Sequence, residues 1–217
     1  MGHDEAKLTP RPTAQALRLA AGGLLLLLGA AFATGWLTRD LPLFALHPPG
    51  GGSPDMRPDQ RLHLHITFFT IWAALLLSVP ALALFPLRQR SPKAASYWLA
   101  LWTVAFIAFA VHFFWAVVIV FDNDWQRILH TPRVSAPVLD TVFALWWAAD
   151  VALAWTLRSE APWVRVQRVG VHALATLLFF MGAAREGEQL ASRLLGWTLA
   201  AGVVAGAWAW WRRRSQR

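Results

Sequence analysis

The stretch LHITFFTIWAALLLSVPALALFPL, running from Leu64 to Leu87, decides the fold, because it carries no Lys, Arg, Asp or Glu along its whole length. As a helix rising about 1.5 Å per residue it covers the roughly 30 Å hydrocarbon core of a bilayer. The helix of a soluble domain keeps a polar face, and this run has none. Lipid offers the backbone no hydrogen-bond partner, so such a segment must satisfy its own N–H and C=O groups, which a helix does and a lone strand cannot.

Working outward from it, five further runs have the same character. With the first they read as Leu19 to Leu37, Leu64 to Leu87, Tyr97 to Phe121, Val138 to Leu157, Trp163 to Ala184 and Leu194 to Trp211. The expected fold is all-α, a polytopic membrane bundle of six transmembrane helices. It divides into an N-terminal segment, 1–18, a six-helix domain, 19–211, whose outer loop is 38–63, and a basic tail, 212–217. Lys7, Arg11 and Arg18 ahead of a leucine-rich run ending in Ala31-Phe32-Ala33 resemble a secretory signal. The apolar stretch continues through Gly35, Trp36 and Leu37, so it reads as a span.

Of the 217 residues, 57% are hydrophobic and 15% charged, where soluble domains carry about a quarter charged. The absence of cysteine excludes disulfides, iron–sulfur clusters, thiolate zinc sites, cysteine nucleophiles and covalent haem attachment. Thirteen of the 20 Lys and Arg residues fall in the N-terminal segment, the loop after Leu87, the region from Arg158 through Arg168 and the C-terminal tail. By the positive-inside rule both termini are expected in the cytoplasm of a bacterial-type inner membrane. The net charge of +8 then reports topology and attraction to anionic lipid, and nucleic acid is not an expected partner.

Fourteen tryptophans stand out. Trp36, Trp98, Trp125, Trp155, Trp163, Trp197, Trp210 and Trp211 fall where an interfacial belt would place them. Trp72, Trp102, Trp115, Trp146, Trp147 and Trp208 fall deeper, where packing is the expected role and lining a cavity for a flat apolar ligand the alternative. Gly202-x-x-x-Gly206 and Ala31-x-x-x-Gly35 are patterns that let two helices approach closely, within the chain, with a second copy or with a membrane-protein partner. Pro80 is expected to kink the second span.

Ionisable groups at membrane depth usually face the bundle interior. His112, Asp140, Asp150 and His172 fall inside spans. Helical phase aligns Asp140, Trp147 and Asp150 on one helix, and His172, Thr176, Phe179, Ala183 and Glu186 on another. The reading is a buried lane comprising His112, Asp140, Asp150, His172, Thr176 and Glu186, in which Asp150 and His172 are expected within direct or water-bridged reach. A second polar set gathers at the outer surface: His47, Asp55, Asp59, His63, His65, Asp122, Asp124, His130, Asp140, Glu186 and Glu188. His63, His65 and His130 are candidate ligands for a divalent metal if the His63-x-His65 segment is extended. The Pro48 to Pro54 segment reads as a loop and lacks the spacing of a phosphate cradle.

No nucleophile elbow, zinc-protease motif or Walker loop is present, so the leading function is a noncatalytic binding, assembly or accessory component. Three alternatives stand beside it. In span number, aromatic content and helix-borne histidines the chain resembles small membrane cytochrome b proteins, which implies b-type haem or a quinone. His65 and His112 would then be the axial pair, helix tilt absorbing an offset of about 10 Å. The lane suits a small proton-linked transporter. A metal-dependent lipid enzyme at the outer face would use His65, His130, Asp140 or Glu186.

Overall fold

The computed structural model describes residues 11–44, 58–131, 134–157 and 160–215. Its helices are α1 (Ala14–Thr38), α2 (Pro58–Leu84), α3 (Pro92–Phe114), α4 (Trp125–His130), α5 (Pro137–Thr156), α6 (Pro162–Phe180) and α7 (Leu190–Ser215). A short 3-10 turn, Phe85–Leu87, ends α2, and π-helical segments Trp115–Val120 and Met181–Arg185 extend α3 and α6. With these extensions, six helices are long and apolar enough to cross a membrane. The chain is therefore an all-α polytopic bundle, each span starting and ending within a few residues of its expected limits.

Local sequence sets the boundaries. Thr13 caps α1 by accepting from the Ala16 N–H at 3.2 Å, and Ser91 caps α3 in the same way at Ala94, with Pro92 in the first turn. Pro137 and Pro162 begin α5 and α6, where a missing N–H costs nothing. The first π segment stops at Asp122 and Asn123, with φ of 54° and 58°, a left-handed pair that Asp and Asn tolerate better than most residues. Helix α2 runs unbroken through Pro80.

At one end of the bundle Thr13 is hydrogen-bonded to Ser96, Gln89 to Glu160, and Arg90 to the Trp210 carbonyl. Both described chain ends meet there, and we call it the terminal end. At the opposite end α1, α3 and α6 finish and α2, α5 and α7 begin. Helix α2 is the hub, packed against α1, α3 and α7, while α5 leans on α3 and α6.

Small residues make these approaches possible. A Cβ on Gly35 would sit 2.8 Å from Ile66, and one on Gly206 would enter the backbone of Ala83. Both small-residue patterns are thus used within the chain. On the outside, Leu25, Leu26, Leu145, Val166 and Val204 are 67% to 74% exposed. Water would make that surface costly, whereas lipid makes it the ordinary one.

The tryptophan assignment needs one correction. Trp98 is fully buried, not interfacial, because its indole N–H is engaged in the interior. Trp36, Trp163, Trp197 and Trp211 are more than half exposed, as a belt requires. His47, Asp55 and the Pro48 to Pro54 loop lie outside the described residues.

Candidate functional site

Toward the terminal end, α5 and α6 place a buried ionic cluster. Asp150 accepts from Trp102 Nε1 at 2.9 Å and Gln167 Nε2 at 2.7 Å, and lies 3.4 Å from Arg168 Nε. Arg168 Nη1 donates to Glu160 Oε1 at 2.9 Å, and Arg88 Nη2 stands 3.6 Å from Glu160 Oε2. Two guanidinium groups thus face two carboxylates, which is how charge survives away from water. Burial lowers Arg88 to about 10, with the Glu160 charge opposing that shift, so it stays cationic at neutral pH. Its guanidinium lies 3.9 Å above the Phe85 ring.

His172 is held beside this cluster through the backbone of Arg168, with no direct hydrogen bond to either carboxylate. Its Nδ1 lies 2.7 Å from the Arg168 carbonyl, which only accepts, so Nδ1 carries the proton. Its Nε2 accepts from Trp98 Nε1 at 3.0 Å. Phe85 stacks at 3.8 Å between centroids and Trp102 at 3.9 Å. With both nitrogens and these two rings engaged, His172 has no lone pair to offer a haem iron.

An aromatic block comes next along the bundle. Trp102 packs on Trp147 at 4.4 Å, and Trp147 meets Phe109, Phe143 and Phe179 at 5.2 to 5.8 Å. Trp102, Phe143 and Trp147 are at most 1% exposed. The expected lane is therefore not continuous: Asp150 and His172 lie on one side of the block, and His112, Asp140 and Glu186 on the other. Thr176 directs its hydroxyl to the His172 carbonyl and lines neither side.

Beyond the block is a cavity of about 340 Å³, within the size range of small-molecule pockets. Its apolar wall includes Phe68, Ile71, Phe113, Val117 and Leu178, and its polar groups include His112, Asp140, Thr141 and Glu186. Both π segments line it, through Ala116, Val117 and Val120 on one side and Met181, Gly182 and Ala183 on the other. Single π turns inside helices are rare and recur at functional sites. His112 Nδ1 lies 2.8 Å from the Thr67 carbonyl, so its proton is there and Nε2 keeps its lone pair. Asp140, in the first turn of α5, makes no side-chain hydrogen bond among the described residues.

The proposed metal and haem ligands are not assembled. The segment containing His63 and His65 is helical, so the two side chains diverge. His65 is bonded to Thr38 Oγ1 at 3.0 Å, His63 lies near the Trp115 ring at 6.1 Å, and His130 Nδ1 bonds the Gln126 carbonyl on α4. Among the described residues no three His, Asp or Glu side chains gather as a metal site. His65 faces α1 while His112 meets the side of α2 that carries Thr67, so they do not oppose each other as axial ligands.

Sequence reasoning missed Arg88, Glu160, Gln167 and Arg168 as parts of the interior. The charge distribution puts Arg168 with the cytoplasmic residues, yet it falls inside the fifth expected span, four residues before His172 and on the same helical face. That spacing was the available signal. No family model, curated protein or solved structure matches the chain.

Proposed function

We propose that the chain is a noncatalytic binding component of a bacterial-type inner membrane, with both termini in the cytoplasm and its ligand cavity in the outer half of the bundle. The observation that carries this reading is the pair of π segments bracketing one cavity, with His112, Asp140 and Glu186 on its wall. Two neighbouring helices depart from regular geometry beside the same space, a cost in backbone hydrogen bonding that packing alone does not require. The Lys and Arg distribution supports the orientation. The ionic cluster and aromatic block serve as the floor of the cavity, since Trp102, Phe143 and Trp147 close the bundle there.

The test uses the full chain in maltoside and straight-chain alcohols from hexanol to dodecanol, read by thermal unfolding. A ligand that binds only the folded state raises its stability. We expect stabilisation that grows with chain length to a cutoff, and an earlier cutoff in Ala116→Phe, which places a ring in the cavity. Absence of stabilisation at every length, or a variant indistinguishable from the parent, would overturn the reading.

A further inference from the structure

The hydrogen-bonding directions on the cavity wall identify the kind of head group it takes. Thr67 directs its hydroxyl hydrogen to the His63 carbonyl at 2.9 Å, and Thr141 directs its own to the Pro137 carbonyl at 2.8 Å. Ser135 donates to Glu186 Oε2 at 3.0 Å, and Trp72 donates its indole N–H to Ser192 at 2.8 Å. These donors are therefore engaged within the wall.

What remains is weighted toward acceptors. His112 presents the lone pair of Nε2, because its proton is fixed on Thr67. The Asp140 carboxylate has no hydrogen-bond partner among the described residues, and Glu186 has a second oxygen beyond the Ser135 bond. Asp140 and Glu186 both stand on the polar side of the cavity, so two carboxylates that repel when both are charged share one small space. Among the described residues no Lys or Arg lines it. Arg193 donates instead to the Gly187 carbonyl, and Arg127 lies over the Phe121 ring at 5.5 Å. The remaining wall is apolar and aromatic.

Resting on the binding reading above, we infer that the ligand is an amphiphile with an apolar body and a protonated amine head, whose N–H groups are taken by Asp140, Glu186 and His112 Nε2. An ammonium group has three donors and no acceptor, the complement of this wall, and its charge offsets the carboxylate repulsion. An alcohol offers one donor and no charge. A carboxylate head would add another anion to a wall that already carries acidic side chains.

The experiment compares dodecylamine, dodecanol and dodecanoate, three probes with the same tail, through their stabilisation of the full chain in maltoside near neutral pH. Dodecylamine should half-saturate at a concentration about tenfold or more below dodecanol, as a charge-assisted hydrogen bond in place of a neutral one allows, and dodecanoate should be weakest. Asp140→Asn should abolish the preference for the amine over dodecanol, and a cooperative thermal transition of the ligand-free variant shows that it is folded. Asp140→Glu should retain the preference. If Asp140→Asn does not fold, Glu186→Gln decides, and a preference undiminished there overturns the inference. Equal binding of amine and alcohol to the parent protein overturns the head-group assignment alone, provided dodecanol binding is lost in Ala116→Phe. If no probe stabilises the parent, the cavity reading fails along with it.

Discussion

Trp102 joins Asp150 to His172 without a proton between them: its indole N–H donates to Asp150 Oδ2 at 2.9 Å while its ring stacks on the imidazole at 3.9 Å. Arg168 makes a second connection, its guanidinium directed at Asp150 and its carbonyl receiving the His172 Nδ1–H. The two ionisable residues are held in fixed relation by neighbours that each uses differently. This makes the terminal half of the bundle a matched interior whose members should fail together.

Removing Asp150 should expose that dependence. Asp150→Ala leaves the Trp102 N–H and the Gln167 amide unsatisfied and shifts the buried charge balance toward Arg168. Breaking a buried pair from one side costs about 3 to 5 kcal/mol. The double variant Asp150→Ala with Arg168→Met should recover part of that loss, since the cation left without its Asp150 partner goes too, and Glu160 still faces Arg88. Thermal unfolding of the four members of the cycle measures the coupling, and simple additivity would contradict the geometry.

His172 should carry its proton on Nδ1, with Nε2 as the acceptor. Nitrogen-15 NMR of the protein labelled at histidine would assign the tautomer from the two ring shifts. Trp98→Phe should destabilise the fold by about 1 to 3 kcal/mol, because it removes the N–H that Nε2 accepts. A protonated Nε2 in the parent protein would refute the assignment.

The glycines separate into two groups. A Cβ on Gly29 meets nothing within 4 Å, so Gly29→Ala should be neutral or add up to about 1 kcal/mol through helix propensity. Gly206→Ala drives a methyl into the Ala83 backbone and should cost about 1 to 3 kcal/mol. Unfolding midpoints of the two variants should therefore move apart, and a tolerated Gly206→Ala would show that α2 and α7 are not in the contact described.

Uninterrupted apolar length revealed the six spans because the requirement for an internally bonded helix acts on each segment alone, whatever it packs against. Helical phase also brought His172, Phe179 and Ala183 to the interior for the same reason. The cluster was less legible because Arg88 and Glu160 lie in connecting segments, and only tertiary packing turns those segments inward. The cavity was illegible in a different way. A π turn shifts every later side chain by a fraction of a turn, and regular periodicity has no term for it. His112 and Glu186 could be named individually, but their shared space depends on where Trp115–Val120 and Met181–Arg185 leave the helical register.

The absence of cysteine makes orientation directly measurable, because a single introduced thiol has no background. Ser135 is exposed near the cavity, and Ser215 is exposed at the end of α7. If the terminal end faces the cytoplasm, a membrane-impermeant maleimide should label Ser135→Cys in spheroplasts and Ser215→Cys only after permeabilisation. The arginines Arg212, Arg213 and Arg214 next to Ser215 give the physical reason, since clustered positive charge is retained on the cytoplasmic side during insertion. The reverse pattern would place the cavity toward the cytoplasm and require a ligand that arrives from there. Labelling of both sites before permeabilisation would contradict an orientation that puts them on opposite sides of the bilayer.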